Sequence, residues 1–319
     1  MVEIIGDRNR KSRFDPDLAE RVNKEVEEEE RKEELKRKLE EARRRTAGLP
    51  PAPPAALPPA TPPAPSSIVS LGDYIELENI VCVGADGKPF EQYEKLIFAK
   101  DVPLSADGAH VSKTIYDWIV NYEAQRSFLP SFALLCNIAV KLYDAALTEN
   151  TDGTFAVRNA EVEQVLSRFN RYGKVNYGWH ACNTLVEYQT GQIINYPHKA
   201  DFTSSGGNVN INLAQERKVF EFRRKDLGKS EPLEKVLAEK GERLIFTENL
   251  SGLDEPGLQK LCRLGKYFGR PAKLWCAPTK DETRGCWLGG SSINGDLYLG
   301  ADGYLNDTNA SRGVRRSSS

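Results

Sequence analysis

Apolar residues recur along this chain with a helical period in some stretches and a strand period in others. Ile115, Trp118, Ile119 and Tyr122 lie at i, i+3, i+4 and i+7 and predict an amphipathic helix, with Ser112 placed to cap it. From Pro130 to Ala146 the apolar residues (Phe132, Leu134, Leu135, Ile138, Val140, Leu142) run nearly all round, which predicts a central, buried helix opened by Pro130. Val162, Val165, Leu166 and Phe169 mark a third helix, and shorter ones fall near 232–240 and 256–267. Residues 184–189 and 192–196 alternate on either side of Thr190-Gly191, a hairpin signal. Val209, Ile211 and Leu213 alternate after the turn at 204–207. Phe220 and Phe222 alternate within the charged stretch 217–224, and residues 273–276 read as one more strand. Helices come first and short strands later, with no regular βαβ alternation. The pattern predicts an α+β domain with a mostly antiparallel sheet.

Two N-terminal stretches lack this patterning. Asp15-Pro16 is an N-cap followed by proline, and residues 15–46 are then dominated by Glu, Lys and Arg. Leu35, Leu39 and Ala42 fit a heptad seam that fails over 27–34, so residues 1–48 read as a charged, solvated helix ahead of an oligomerising one. Self-association through 15–46 is the partner this segment offers. Residues 49–67 carry nine prolines, which prevent helix and sheet and favour extended polyproline II. They read as a spacer first and an SH3-type ligand second. Residues 68–319 are left as the globular domain.

The 319 residues carry a formal net charge of −2, so the whole chain has no bulk attraction to nucleic acid or to an anionic membrane. No run of about 18 apolar residues predicts a membrane span. The N-terminus lacks an apolar signal core, so a cytoplasmic location is the default expectation. Six cysteines (Cys82, Cys136, Cys182, Cys262, Cys276, Cys286) are scattered without a C-x-x-C pair, which points to a reducing compartment and to neither zinc nor redox chemistry.

The stretch 284–312 is rich in Gly, Ser, Asn, Asp and Tyr. Tyr and Trp bring contact area at small rotamer cost, and Ser, Asn and Gly bring adaptable hydrogen bonding, as in antibody loops. Leu297, Leu299, Ala301, Gly303 and Leu305 lie two apart, with Tyr298, Gly300, Asp302, Tyr304 and Asn306 between them. In extended chain the first set faces a core and the second faces solvent. An ordinary edge strand with turn-rich loops has the same composition.

The ending Ser311-Arg312-Gly313-Val314-Arg315, after a Tyr/Ser/Asn/Gly-rich stretch, resembles the C-termini of variable proteins of diversity-generating retroelements, the archaeal members most. Trp179, Leu185-Val186-Glu187-Tyr188 and the run from Gly191 through Asn195-Tyr196-Pro197-His198 are similar to the segment preceding the variable region in such proteins. The resemblance covers residues from about 70 onward. It implies a C-type lectin-like fold and a receptor-like function in which a reverse transcriptase rewrites the 3′ end of the gene while the changed side chains point away from the core. It places the ligand surface at Trp287, Ser291, Ser292, Asn294, Tyr298, Asp302, Tyr304, Asn306, Asp307 and Asn309. Leu297, Leu299, Leu305 and Val314 become scaffold, with Val314 pairing the last strand back near the start of the domain. The implied ligand is another protein, with no cofactor, no metal, no nucleic acid and no catalysis.

Other chemistry in the sequence is weaker. Asp296, Asp302 and Asp307 could offer oxygens to calcium, but the Glu-Pro-Asn and Trp-Asn-Asp patterns of calcium-dependent lectins are missing. Cys276 and Cys286 could form the thiol pair of a formylglycine-generating enzyme, whose fold class is the same; structural thiols are the simpler reading. His180 and Cys182 lack a third ligand and read as packing residues. Three Ala-Asp-Gly tripeptides, at Asp86, Asp107 and Asp302, suit tight turns. The rival to ligand binding is a structural or adaptor protein, such as a viral appendage, that oligomerises through its N-terminal helix.

Overall fold

A computed structural model describes residues 68–104, 106, 111–170, 178–196, 218–223, 227, 230–277, 283–290, 296–305, 307 and 309–316. All of them belong to one compact unit, Pro63–Ser319. The charged segment 1–48, the proline spacer and the expected strand at 209–213 lie outside the described residues.

The unit is α+β. Its first sheet has the order β1-β2-β3-β13 and is antiparallel throughout. Strands β1 (Val69–Leu71), β2 (Tyr74–Val83) and β3 (Pro89–Ala99) follow one another in sequence, and β13 (Val314–Arg316) closes the far edge against β3. The β2–β3 hairpin turns at Asp86-Gly87, where the Asp86 carboxylate accepts from the Lys88 amide at 3.0 Å. Ile75, Leu77, Leu96 and Phe98 bury one side of this sheet.

Helix α1 (Ile115–Ala124) is capped by Thr114, whose hydroxyl accepts from Asp117 N, so the cap sits two residues after the expected Ser112. Helix α2 (Phe132–Ala146) is the central one, with eleven of its fifteen residues buried. Ser131 rather than Pro130 begins it, because the Ser131 hydroxyl accepts from Leu134 N, a bond that proline cannot offer. The same hydroxyl donates to the buried Glu91 carboxylate, tying the helix start to β3. Strands β4 (Leu147–Glu149) and β5 (Phe155–Val157) form a short ribbon before helix α3 (Ala160–Ser167), capped by Asn159.

The second sheet has seven strands in the order β8-β7-β6-β11-β12-β10-β9. The expected hairpin is present as β6 (Gly178–Glu187) and β7 (Gln192–Asn195), and β8 (Lys218–Glu221) adds to it. Strand β9 (Glu231–Pro232) leads into helices α4 (Leu233–Glu239), α5 (Glu242–Ser251) and α6 (Glu255–Tyr267). Then come β10 (Ala272–Cys276), β11 (Thr283–Gly290) and β12 (Leu297–Gly303). All neighbours are antiparallel except β10 and β12, which run parallel. The inner face of this sheet (Cys182, Val186, Leu274, Cys276, Cys286, Leu288, Leu297, Leu299) joins α2 and the first sheet in one apolar core. A smaller cluster around Trp118, Tyr122, Leu129 and Ala181 seats α1.

Candidate functional site: an aromatic sheet face

Strand β12 alternates as its sequence requires. Leu297, Leu299 and Ala301 are 0% exposed and face the core. Tyr298, Gly300 and Asp302 take the other side. Their register partners on β11 and β10 complete an outer face, with Trp287 opposite Gly300, Lys273 beside Tyr298, and Trp275 beside Gly300. Trp179 comes from β6, opposite Gly289.

The rings on this face contact one another. Trp179 and Trp287 stack with centroids 4.3 Å apart, Tyr298 meets Trp287 edge-on at 5.8 Å, and Trp275 meets Tyr298 edge-on at 5.4 Å. The Trp287 indole lies across Gly300 so closely that a Cβ at that position would sit 2.2 Å from the ring. Glycine is what lets the cross-strand tryptophan lie flat on the sheet.

This packing corrects the expectation that Trp287 and Tyr298 stand in water: each is only 6% exposed. They lie on the outward side but are covered by neighbouring aromatic rings. The accessible aromatics are Trp275, 37% exposed, and Tyr304, 48% exposed. Trp275 escaped the sequence reading although Lys273-Leu274-Trp275-Cys276 alternates visibly. Nothing in a short apolar stretch says that it will run parallel beside β12.

The polar groups on this face are individually engaged. Asp302 accepts from the Trp287 indole Nε1 at 3.2 Å, and its backbone carbonyl accepts from Arg284 at 3.4 Å. Burial pushes the Asp302 carboxyl up to about 6, opposed by the Trp287 hydrogen bond and the Arg284 charge. Asp296, 3% exposed, pairs with Lys273 at 2.6 Å and accepts from the Tyr298 hydroxyl at 3.2 Å. The bond to Asp296 in turn raises the Lys273 ammonium above its ordinary value. Asp302-Gly303 belongs to strand β12 and not to a tight turn, which corrects that expectation; Asp107 lies outside the described residues.

The alternation ends with β12. Tyr304 stands outside, with the Arg284 guanidinium 3.8 Å from its ring centre. Asp307 accepts from the Tyr304 amide at 3.1 Å, turning the chain back. Leu305 packs against the α1 cluster and not the main core. Asn309 is fixed through its backbone, exchanging two 3.0 Å hydrogen bonds with Lys113 and accepting from the Trp118 indole at 2.6 Å. Of the ten expected surface positions, Ser291, Ser292, Asn294 and Asn306 lie outside the described residues. The structure therefore brings Trp287, Tyr298 and Asp302 together and sets Tyr304 and Asp307 at the following turn.

The segment after this face is an anchor. Arg312 is 0% exposed, donates to Val165 O at 3.1 Å, and lies 4.1 Å from the Phe169 ring centre and 4.6 Å from that of Phe98. A Cβ on Gly313 would come within 2.7 Å of the Tyr122 ring. Val314 exchanges backbone hydrogen bonds with Phe128, and Arg315 donates to Ser127 Oγ at 2.7 Å.

The thiols and the histidine are packing groups. All six cysteines are free and buried. Burial pushes the Cys276 thiol up to about 12 and raises Cys286 well above its usual range, which keeps both as neutral thiols. His180 is fully buried beside Phe169 and Arg312; burial, then the Arg312 charge, hold its ring neutral. Among the described residues no group of His, Cys, Asp and Glu is arranged to hold a metal ion, and no helix is long and apolar enough to cross a membrane. In comparisons with known proteins, no family model, no curated protein and no solved structure matches the chain.

Proposed function

We propose that this chain is a ligand-binding, receptor-like protein whose contact surface is the outer face of the seven-stranded sheet and the turn after β12. Its scaffold is of C-type lectin type, and its 3′ coding end is diversified by a retroelement. The observation that carries the reading is the split within one strand: Leu297, Leu299 and Ala301 are sealed in the core while Tyr298 and Asp302 join an aromatic face that reaches solvent through Trp275. Where it is accessible, such a surface offers two large rings of few rotamers, Trp275 and Tyr304, with the carboxylates of Asp302 and Asp307 near them, the composition of a recognition hot spot.

The anchor supports the same reading. Arg312, Gly313 and Val314 lock the chain beside β3, so the first and last strands of the domain share a sheet. A scaffold pinned on both sides of a surface segment tolerates changes within it. The partner best suited is a folded protein, because the described face is broad and its rings fill the space between themselves.

Sequencing clonal copies of the gene with its flanking DNA tests this function. The expected result is differences concentrated at Trp287, Ser291, Ser292, Asn294, Tyr298, Asp302, Tyr304, Asn306, Asp307 and Asn309, with a near-copy of the segment and a reverse transcriptase gene nearby. Differences scattered evenly through the domain, with neither element nearby, would reject it.

A further inference from the structure

Asp302 is a half-buried carboxylate on the outer face, and a tryptophan from the strand on each side of β12 is bonded to it. The Trp287 indole on β11 donates to it at 3.2 Å, and the Trp275 indole on β10 donates to it as well. Trp275 is 37% exposed, so the carboxylate lies beside an accessible ring.

The neighbouring cations are committed elsewhere. Arg284, only 3% exposed, donates to the main-chain carbonyl of Asp302 and lies against the Tyr304 ring. Lys273 is held by Asp296 at 2.6 Å. Asp302 itself makes no ion pair among the described residues. Burial raises its carboxyl to about 6 in spite of the Trp287 bond and the Arg284 charge. The carboxylate is therefore desolvated more than it is compensated, and it has acceptor positions beyond the two indole bonds. The other groups facing it are the Cys276 and Cys286 thiols and the Tyr188 hydroxyl, all raised by burial and neutral at and below pH 7.5.

This arrangement selects by charge. An anion would meet Asp302 and, at the following turn, the exposed Asp307. A neutral group gains nothing from an uncompensated charge. A cation neutralises the carboxylate and is attracted to the face of an indole. A guanidinium does both at once, because its plane stacks on a ring while its edge donates to a carboxylate; an ammonium is a point charge that does one or the other.

We propose that this face takes an arginine side chain of the protein partner, stacked on Trp275 and donating to the Asp302 carboxylate. The inference rests on the outer face being the contact surface, and it names the chemistry that this version of the surface recognises.

Titration calorimetry of the full chain at constant ionic strength, with n-butylguanidinium, n-butylammonium and butyrate, tests this. At pH 7.5 the guanidinium should bind with a Kd of about 10 mM or below, more tightly than the ammonium, and butyrate should not bind. At pH 5 the carboxyl is mostly protonated, so guanidinium binding should weaken about tenfold. Asp302→Asn should bind about tenfold more weakly at pH 7.5 and lose the pH dependence. Trp275→Ala should bind about threefold more weakly. Asp73→Asn, in the β1–β2 turn of the other sheet, should bind like the parent. Melting curves check that each variant is folded, and the comparison of the two pH values needs no variant. The proposal is overturned if the guanidinium does not saturate by about 100 mM, if it binds equally at both pH values, if Asp302→Asn binds like the parent, or if the ammonium or butyrate binds as tightly. The two readings fail separately. No guanidinium binding, with clonal copies still differing at Asp302 and Tyr304, would remove only the arginine. Guanidinium binding with the expected pH dependence, in a gene that does not vary, would support the arginine and remove the diversification.

Discussion

The two faces of β12 share one backbone and differ in everything else. The inner face is aliphatic, and Leu297, Leu299 and Ala301 are sealed completely. The outer face is aromatic and polar: its Tyr298 is covered by the buried Trp287 and the partly exposed Trp275, and its Asp302 keeps a carboxylate in a half-dry site. Inside, a side chain is held by close packing on every side, so lost volume leaves a cavity. Outside, a ring leans on neighbours that can shift into water. A two-residue period thus lets one strand hold a fold and display a surface.

Leu299→Ala should sharpen the contrast most, destabilising the domain by about 3 kcal/mol in chemical denaturation, because the cavity lies in the main core. A cost below about 1 kcal/mol would mean that the inner face is not close-packed. Gly300→Ala is next. The added Cβ meets the Trp287 ring, so about 2 kcal/mol should be lost, with a change in tryptophan fluorescence as the indole is displaced. Trp275→Ala should cost about 1 kcal/mol or less, since the ring is partly exposed and makes one edge-on contact with Tyr298. A cost equal to that of Leu299→Ala would break the distinction between the faces.

The smallest effect is a pH dependence. The Asp302 carboxyl is raised to about 6 in the folded state, against about 3.9 unfolded. Between those values the folded state binds more protons, so the contribution of Asp302 to stability rises as pH falls from about 6 towards 4. Exposed acids with lowered values, such as Asp86, Asp152 and Glu231, act in the opposite direction. The readout is therefore the parent measured against Asp302→Asn. Going from pH 7 to pH 5, the parent should gain on the order of 1 kcal/mol relative to the variant. No relative gain would mean that the carboxylate is fully hydrated.

Much of this was legible in the sequence, for identifiable reasons. The helices around Trp118 and Leu135 and the hairpin at Thr190-Gly191 follow from local period and turn chemistry, and β12 follows from strict alternation. The β2–β3 hairpin was missed although Ile75, Leu77, Leu96 and Phe98 carry a strand signal around Asp86-Gly87. Helix α5 was missed because Ile245 and Thr247 break the look of an amphipathic stretch. Non-local facts left no trace: β10 runs parallel beside β12, bringing Trp275 to Tyr298, and Arg312 is swallowed between α3 and β3. A buried arginine reads as a surface charge until Phe98 and Phe169 are seen against it.

The most direct measurement is a saturation library covering Leu297, Leu299 and Ala301 on one face and Tyr298, Asp302 and Tyr304 on the other, displayed as the full chain and sorted for resistance to protease. Most substitutions in the second set should survive, polar and apolar alike, and most in the first should be lost. Equal tolerance of the two sets, or survival of polar residues at Leu297 and Leu299, would contradict a strand that holds the core with one side and meets a partner with the other.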